Sequence, residues 1–227
     1  MQMIKESMVE ACRVLVGEQL VAGFGHVSCR VAERDGGGFL ITPRDPLISV
    51  AEDQLVHVPV SPEQADPLSR PPVEWRLHAE VYERRPDVVA ICRTHSKMVS
   101  VLGISGREVR VVHGLGCWLG PRVPLFDSVL LASDASQAKL VVDALGPNVA
   151  VVMRGNGSLA VGTSIEEAGV RALMLEESAE LQLLAGLSGT VRWFEDEEVR
   201  RRHEQDHDDE VRRAWAHYVQ RHSPERR

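Results

Sequence analysis

The residues best suited to chemistry lie close together. From Glu74 to His95 the chain reads Glu-Trp-Arg-Leu-His-Ala-Glu-Val-Tyr-Glu-Arg-Arg-Pro-Asp-Val-Val-Ala-Ile-Cys-Arg-Thr-His. Glu74 and His78 are four apart, so a helix over 73–85 stacks them on one face, with Val81 or Tyr82 on the next turn. Pro86-Asp87 ends that helix. The apolar run Val88 to Cys92 then predicts a strand buried on both faces, ending on Arg93-Thr94-His95. Carboxylates and imidazoles move protons. A strand that delivers a histidine beside a helix carrying a carboxylate is a sound way to build an active site.

The flanking elements must hold this stretch in place. Val9, Cys12, Val16 and Leu20 recur at helical spacing, predicting an amphipathic helix from Met1 to about Ala22, closed near Gly23. Gly23 to Val31 alternates like a strand, and Gly36-Gly37-Gly38 turns it into Phe39-Leu40-Ile41-Thr42, a hairpin with His26, Ser28 and Thr42 near its rim. A short strand over Leu55–Val60 and a proline-rich loop over Ser61–Pro72 follow. Ser96–Leu102 predicts a helix whose first-turn amides lie near His95. Arg107–Phe126 reads as strand and loop, and Asp134–Leu145 as a helix ended by Gly146-Pro147. Val149–Met153 is a second buried strand, leading through the tight turn Arg154-Gly155-Asn156-Gly157 to Leu159–Val161. Thr163 and Glu166 then form a capping box for a long helix. The charged tail, about 195–227, reads as a surface or interface helix attached to a single domain spanning 1–227, with His203, His207, His217 and His222 facing solvent.

Composition excludes several roles. The net charge of −7 argues against a nucleic-acid surface, which needs clustered Lys and Arg. Charges scattered through the first twenty residues argue against a signal peptide or a membrane span. Cys12, Cys29, Cys92 and Cys117 form no CxxC pair and read as reduced, buried thiols of a cytoplasmic protein.

Taken in order, Gly25-His26-Val27-Ser28-Cys29-Arg30, Phe39-Leu40-Ile41-Thr42-Pro43, the Glu74–His95 block, Met153-Arg154-Gly155-Asn156-Gly157 with Val161-Gly162, and Glu166-Glu167-Ala168 with Leu175-Glu176 resemble the class II aldolase/adducin family. That family includes fuculose-phosphate and ribulose-phosphate aldolases, an epimerase and related decarboxylases. The resemblance covers roughly residues 5–190. It implies an α/β fold, a three-layer α/β/α sandwich with a central mixed sheet, commonly a homotetramer with active sites at subunit interfaces. It also implies a metal held by a His-x-His pair and by a histidine in the later turn, with Glu74 as acid/base. Here Arg93 and Asn156 replace two of the three histidines. A permanently protonated guanidinium donates no lone pair, and an amide oxygen is a weak ligand, so the inherited site is abolished or severely weakened.

Three readings stay open. In the first, no cofactor is needed: Arg93 stabilises an enolate, Glu74 and His95 move protons, and the reaction is a decarboxylation, dehydration, epimerisation or cyclisation of a small carboxylate. In the second, Zn, Mn or Fe survives in a shifted site of Glu74, His78 and His95. In the third, the protein is a non-catalytic, adducin-like binder. The resemblance further places His26, Ser28, Thr42, Arg44 and Asn156 at substrate-binding positions, and Tyr218 at the place of a tyrosine that some relatives lend across an interface. An ion pair between Arg93 and Glu74 is the structural alternative to a catalytic arginine, and it would make the carboxylate a poorer base.

Overall fold

The computed structural model describes residues 1–59, 70–205 and 207–223. In chain order the helices are α1 (Gln2–Gly17), α2 (Trp75–Arg84), α3 (Lys97–Ile104), α4 (Ala135–Leu145), α5 (Ile165–Ser188), α6 (Asp196–His203) and α7 (His207–His222). The strands are β1 (His26–Arg30), β2 (Phe39–Ile41), β3 (Val56–Val58), β4 (Ala90–Thr94), β5 (Val109–Arg110), β6 (Arg122–Val123), β7 (Leu125–Phe126), β8 (Ala150–Met153) and β9 (Ser158–Gly162). Seven of them form one sheet in the order β3-β2-β1-β4-β9-β8-β7, and β5 pairs with β6 apart from it. Only the edge pair β7–β8 is parallel, so the sheet is mixed.

β4 lies at the centre, and side-chain alternation along it divides the molecule. Cys92 joins Val27, Ala160 and Val152 on the face packed against α1, α3 and α5. Ile91 joins Phe39, Val151 and Leu159 on the face packed against α2 and α4. The result is the three-layer α/β/α sandwich expected from the sequence. Register adds a finer constraint: His26 pairs with Arg93 and Arg93 with Leu159, so these three form one row across the sheet. Being two residues from Ile91, and so on the same face of the sheet, Arg93 is aimed at the layer that holds α2.

Several boundaries differ from the sequence reading. α1 ends at Gly17 because Gln19 takes a left-handed φ of 60°, which returns Leu20 to the core. The α5 cap is shifted by one residue. Ser164 accepts the Glu167 amide, and Glu167 reaches back to the Thr163 amide at 2.6 Å while pairing with Arg171, so Thr163 and Glu166 are not the box. β3 is shorter than expected, and residues 60–69, which include most of the proline-rich loop, lie outside the described residues.

The tail forms two helices. α7 lays Val211 and Trp215 into the core beside α5 and α1, and Trp215 occupies the space that a Cβ at Gly169 would need, 2.4 Å away. His217 is exposed, but His222 lies 2.7 Å from Glu18 at the end of α1. The four cysteines are free and buried. Among the described residues no helix is long and apolar enough to cross a membrane.

Candidate active site

At the centre of the sheet, Arg93 has nowhere to reach solvent. Its side chain is 0% exposed, and its Nη2 lies 3.3 Å and 3.4 Å from the two carboxylate oxygens of Glu74, which precedes the first turn of α2. Nη1 donates to the Thr94 carbonyl at 2.8 Å and to that of Ser158 at 3.4 Å. Burial lowers the pKa of Arg93 while the Glu74 charge opposes the drop, and the guanidinium stays a cation. Burial pushes the Glu74 carboxyl up, but the hydrogen bond from His26 and the Arg93 charge together outweigh it and hold the group at about 2. Glu74 is therefore a firmly ionised, weakly basic carboxylate at neutral pH.

A second line of groups leaves Glu74 along α2. His26 Nε2 is 3.5 Å from a Glu74 oxygen, and His26 Nδ1 is 2.7 Å from His78 Nε2. His78 Nδ1 is in turn 2.6 Å from Ser28 Oγ, which is 2.8 Å from the Tyr82 hydroxyl. The chain of contacts ends at the Val89 carbonyl, 3.4 Å from Tyr82. It follows from two periodicities: His26 and Ser28 share a strand face, and His78 and Tyr82 stand one helical turn apart. Burial lowers the pKa of both histidines, so both are neutral near pH 7.

Above these groups opens a cleft of about 660 Å³. His26, Arg44, Glu74, His95 and Asn156 line it together with Phe24, Pro43, Pro46, Val73 and Leu131. Arg44 is exposed and is the single cation among the described lining residues. His95 is held at about 4, first by burial and then by the nearby Arg93 charge, so it is a neutral imidazole at physiological pH. Its backbone amide donates to the Leu20 carbonyl at 2.9 Å, which ties the strand end to the turn after α1. Asn156 is set by a turn in which Gly157, at φ 69°, lies against the Thr94 carbonyl: a Cβ there would come within 2.0 Å of that oxygen. The turn is thus pressed onto the end of β4.

Five of the predicted site residues thus share the cleft, and four do not. Ser28 and Thr42 are fully buried rather than on a rim; the Ser28 hydroxyl serves His78 and Tyr82, and the Thr42 hydroxyl accepts the Val27 amide at 3.2 Å. Arg93 sits behind Glu74 instead of at the cleft wall, because a cation on the central strand can be buried only against an anion. Tyr218 is half-buried on α7, outside the cleft of its own chain. Two first-turn amides of α3 are taken as well, since Glu176 of α5 accepts from Met98 and Val99 at 2.9–3.1 Å. Tyr82 escaped the sequence reading as a site group; its spacing from His78 was the available signal. Phe24, 80% exposed, was also missed.

The Class II Aldolase and Adducin N-terminal domain matches residues 6–183. The chain belongs to the class II aldolase/adducin family. Over 200 residues it is 30% identical to a 3,4-dihydroxyphthalate decarboxylase of a Terrabacter species, covering 82% of each chain. A decarboxylase of Talaromyces stipitatus is 28% identical over 203 residues, 79% of this chain and 75% of that one. Among solved structures, an L-fuculose 1-phosphate aldolase superposes with a TM-score of 0.81 at 21% identity, covering 90% of this chain and 96% of that one. The protein is accordingly an enzyme of the class II aldolase type, a family of lyases.

With Arg93 and Asn156 at two of its positions, the chain's residues do not fit the three-histidine metal site that the family resemblance implies. Glu74 is neutralised by Arg93, and both ring nitrogens of His78 are occupied, so His95 is left with the amide of Asn156. Among the described residues no group of three His, Cys, Asp or Glu side chains is placed to hold a metal ion.

Proposed function

We propose that this enzyme is a metal-independent lyase that decarboxylates a small hydroxylated carboxylate. The observation that carries the reading is the Arg93–Glu74 pair, a buried internal cation where family members would place a metal donor, beneath a cleft lined by Arg44, His26 and His95. Decarboxylase relatives support the reaction class. Arg44 anchors an anionic group of the substrate. Neutral His95 takes the proton of a substrate hydroxyl and hands it to the carbon that bears the reacting carboxylate. That carbon–carboxylate bond then breaks, its electron pair returns to the hydroxyl-derived oxygen, carbon dioxide leaves, and the oxyanion recovers a proton from solvent. Glu74 and Arg93 act from below, as a fixed ion pair that orients His26.

The assay is carbon dioxide release by the purified protein with 3,4-dihydroxyphthalate and simpler hydroxylated benzoates as probes, with and without a chelator, alongside metal analysis. Chelator-insensitive release by protein without stoichiometric metal is the expected result. Stoichiometric zinc, manganese or iron, or turnover abolished by the chelator, overturns metal independence. Assembly belongs to the same reading: exposed Phe24, Val129, Leu130 and Leu131 near the cleft support a homotetramer with clefts at subunit interfaces, where Tyr218 would serve a neighbour. Sedimentation measures it.

A further inference from the structure

The buried contacts behind His26 form a continuous hydrogen-bonded line, and a line of single protons has a direction. Five groups take part: Tyr82, Ser28, His78, His26 and Glu74, at successive separations of 2.8, 2.6, 2.7 and 3.5 Å. Each link holds one hydrogen, so the choice at one end sets every link to the other. Suppose the Tyr82 hydroxyl donates to Ser28, the nearer of its two acceptors. Ser28 must then donate to His78 Nδ1, leaving His78 to carry its hydrogen on Nε2 and donate to His26 Nδ1. His26 in turn carries its hydrogen on Nε2, facing the Glu74 carboxylate, and every polar atom of the line is satisfied with both rings neutral. The opposite direction turns a bare His26 Nε2 lone pair toward an anion, and no other donor reaches that atom among the described residues.

We infer that Tyr82, Ser28 and His78 are positioning residues that lock His26 in its Nε2–H tautomer, so that its single N–H is held against Glu74, its Nδ1 lone pair is taken by His78, and it offers the cleft no base. The groups facing His26 agree with this assignment. Glu74 and His78 come from the start of α2 and Arg93 from β4, with His95 just beyond it; Glu74 is the one anion of the set, and it lies on the Nε2 side. Arg93 across the sheet opposes a second proton on the ring. The inference rests on the reading of the cleft as the reaction site. It narrows that reading: with no free lone pair on His26, the proton carrier must be His95.

Histidine nitrogen NMR on the full-length, nitrogen-15-labelled protein tests the lock without any substrate. The wild type is expected to give His26 and His78 each as a single neutral form with Nε2 protonated and Nδ1 bare, unchanged across the neutral pH range. His78→Leu removes the donor to His26 Nδ1, and the His26 signals should then lose their single-tautomer signature. His78→Gln, whose amide can still donate from the same place, should restore it. Ser28→Ala frees the direction of the line, and His78 should become a mixture of tautomers. A wild-type His26 found as Nδ1–H or as an imidazolium near neutral pH overturns the inference, and so does a His78→Leu protein that keeps the wild-type His26 signature. Failure of the carbon dioxide assay would leave these spectra unchanged, so the two readings fail separately. A His78→Leu protein that does not fold leaves the wild-type spectrum and the Ser28→Ala comparison to decide.

Discussion

Replacing Arg93 with methionine keeps much of the side-chain length and deletes the charge. The Glu74 carboxylate, 5% exposed, then keeps its burial and loses its cation. In the wild type that carboxyl is held at about 2 against an ordinary 4.5. At 1.36 kcal/mol per pH unit the difference corresponds to roughly 3 kcal/mol of stability, shared between His26 and Arg93. Removing one partner of a buried pair typically costs about 3–5 kcal/mol, because the remaining charge goes uncompensated. The two figures agree in size.

The sign with pH follows from the same values. A depressed carboxyl contributes fully above its unfolded value of 4.5 and loses that contribution as pH falls toward 2. In Arg93→Met burial keeps raising the Glu74 carboxyl while one of its two opponents is gone, so Glu74 titrates higher than in the wild type, and the variant's deficit is largest near neutral pH and shrinks as acid protonates the group. Denaturant unfolding of both proteins at about pH 7.5 and about pH 3.5, below the ordinary carboxyl value, should show the gap narrowing in acid. The Arg93→Met/Glu74→Gln double variant should regain most of the loss at the higher pH. A deficit that does not depend on pH, or a double variant as unstable as the single one, would refute the ion-pair account.

Other perturbations probe the supports of the site. Glu176→Ala strips the Met98 and Val99 amides of their acceptor and should cost about 1–2 kcal/mol in denaturant unfolding, with Glu176→Gln milder. Gly157→Ala places a Cβ against the Thr94 carbonyl at a left-handed φ, so it should cost more than the about 1 kcal/mol of an ordinary strained glycine site and should weaken binding in the cleft. Arg93→His combined with Asn156→His restores the family's donor types at the end of β4 and in the facing turn; stoichiometric zinc uptake by the double variant, measured by metal analysis, is the expected outcome.

Much of this architecture was legible in the sequence because it depends on local periodicity. The run Val88–Cys92 announced a strand buried on both faces, and the i, i+4 spacing of Glu74 and His78 announced the helix face beside it. The departure at Arg93 and Asn156 was legible too, since an arginine cannot take over a histidine's lone pair. What the sequence left open was direction and depth. Whether Arg93 meets the substrate or Glu74 depends on strand register, which pairs Arg93 with His26 and Leu159 and turns it toward α2. Ser28 and Thr42 have the residue types of a binding rim, yet tertiary partners claim both hydroxyls. The amides of α3 looked available to the site until Glu176, nearly eighty residues later, was seen to occupy them. Capping at Ser164 instead of Thr163 shows the same limit on a smaller scale: adjacent residues of similar chemistry are separated only by the ion pair that Glu167 makes with Arg171.

The Arg93–Glu74 pair also bears on how the site is supplied. A bound ion has to be acquired after folding, in competition with every other protein that wants it, and dilution can remove it. Arg93 is installed at translation, one per chain, and is sealed in as β4 takes its place at the centre of the sheet. The cleft above it therefore opens onto the same internally neutralised pair, with the Glu74 carboxylate foremost, in every copy of the chain.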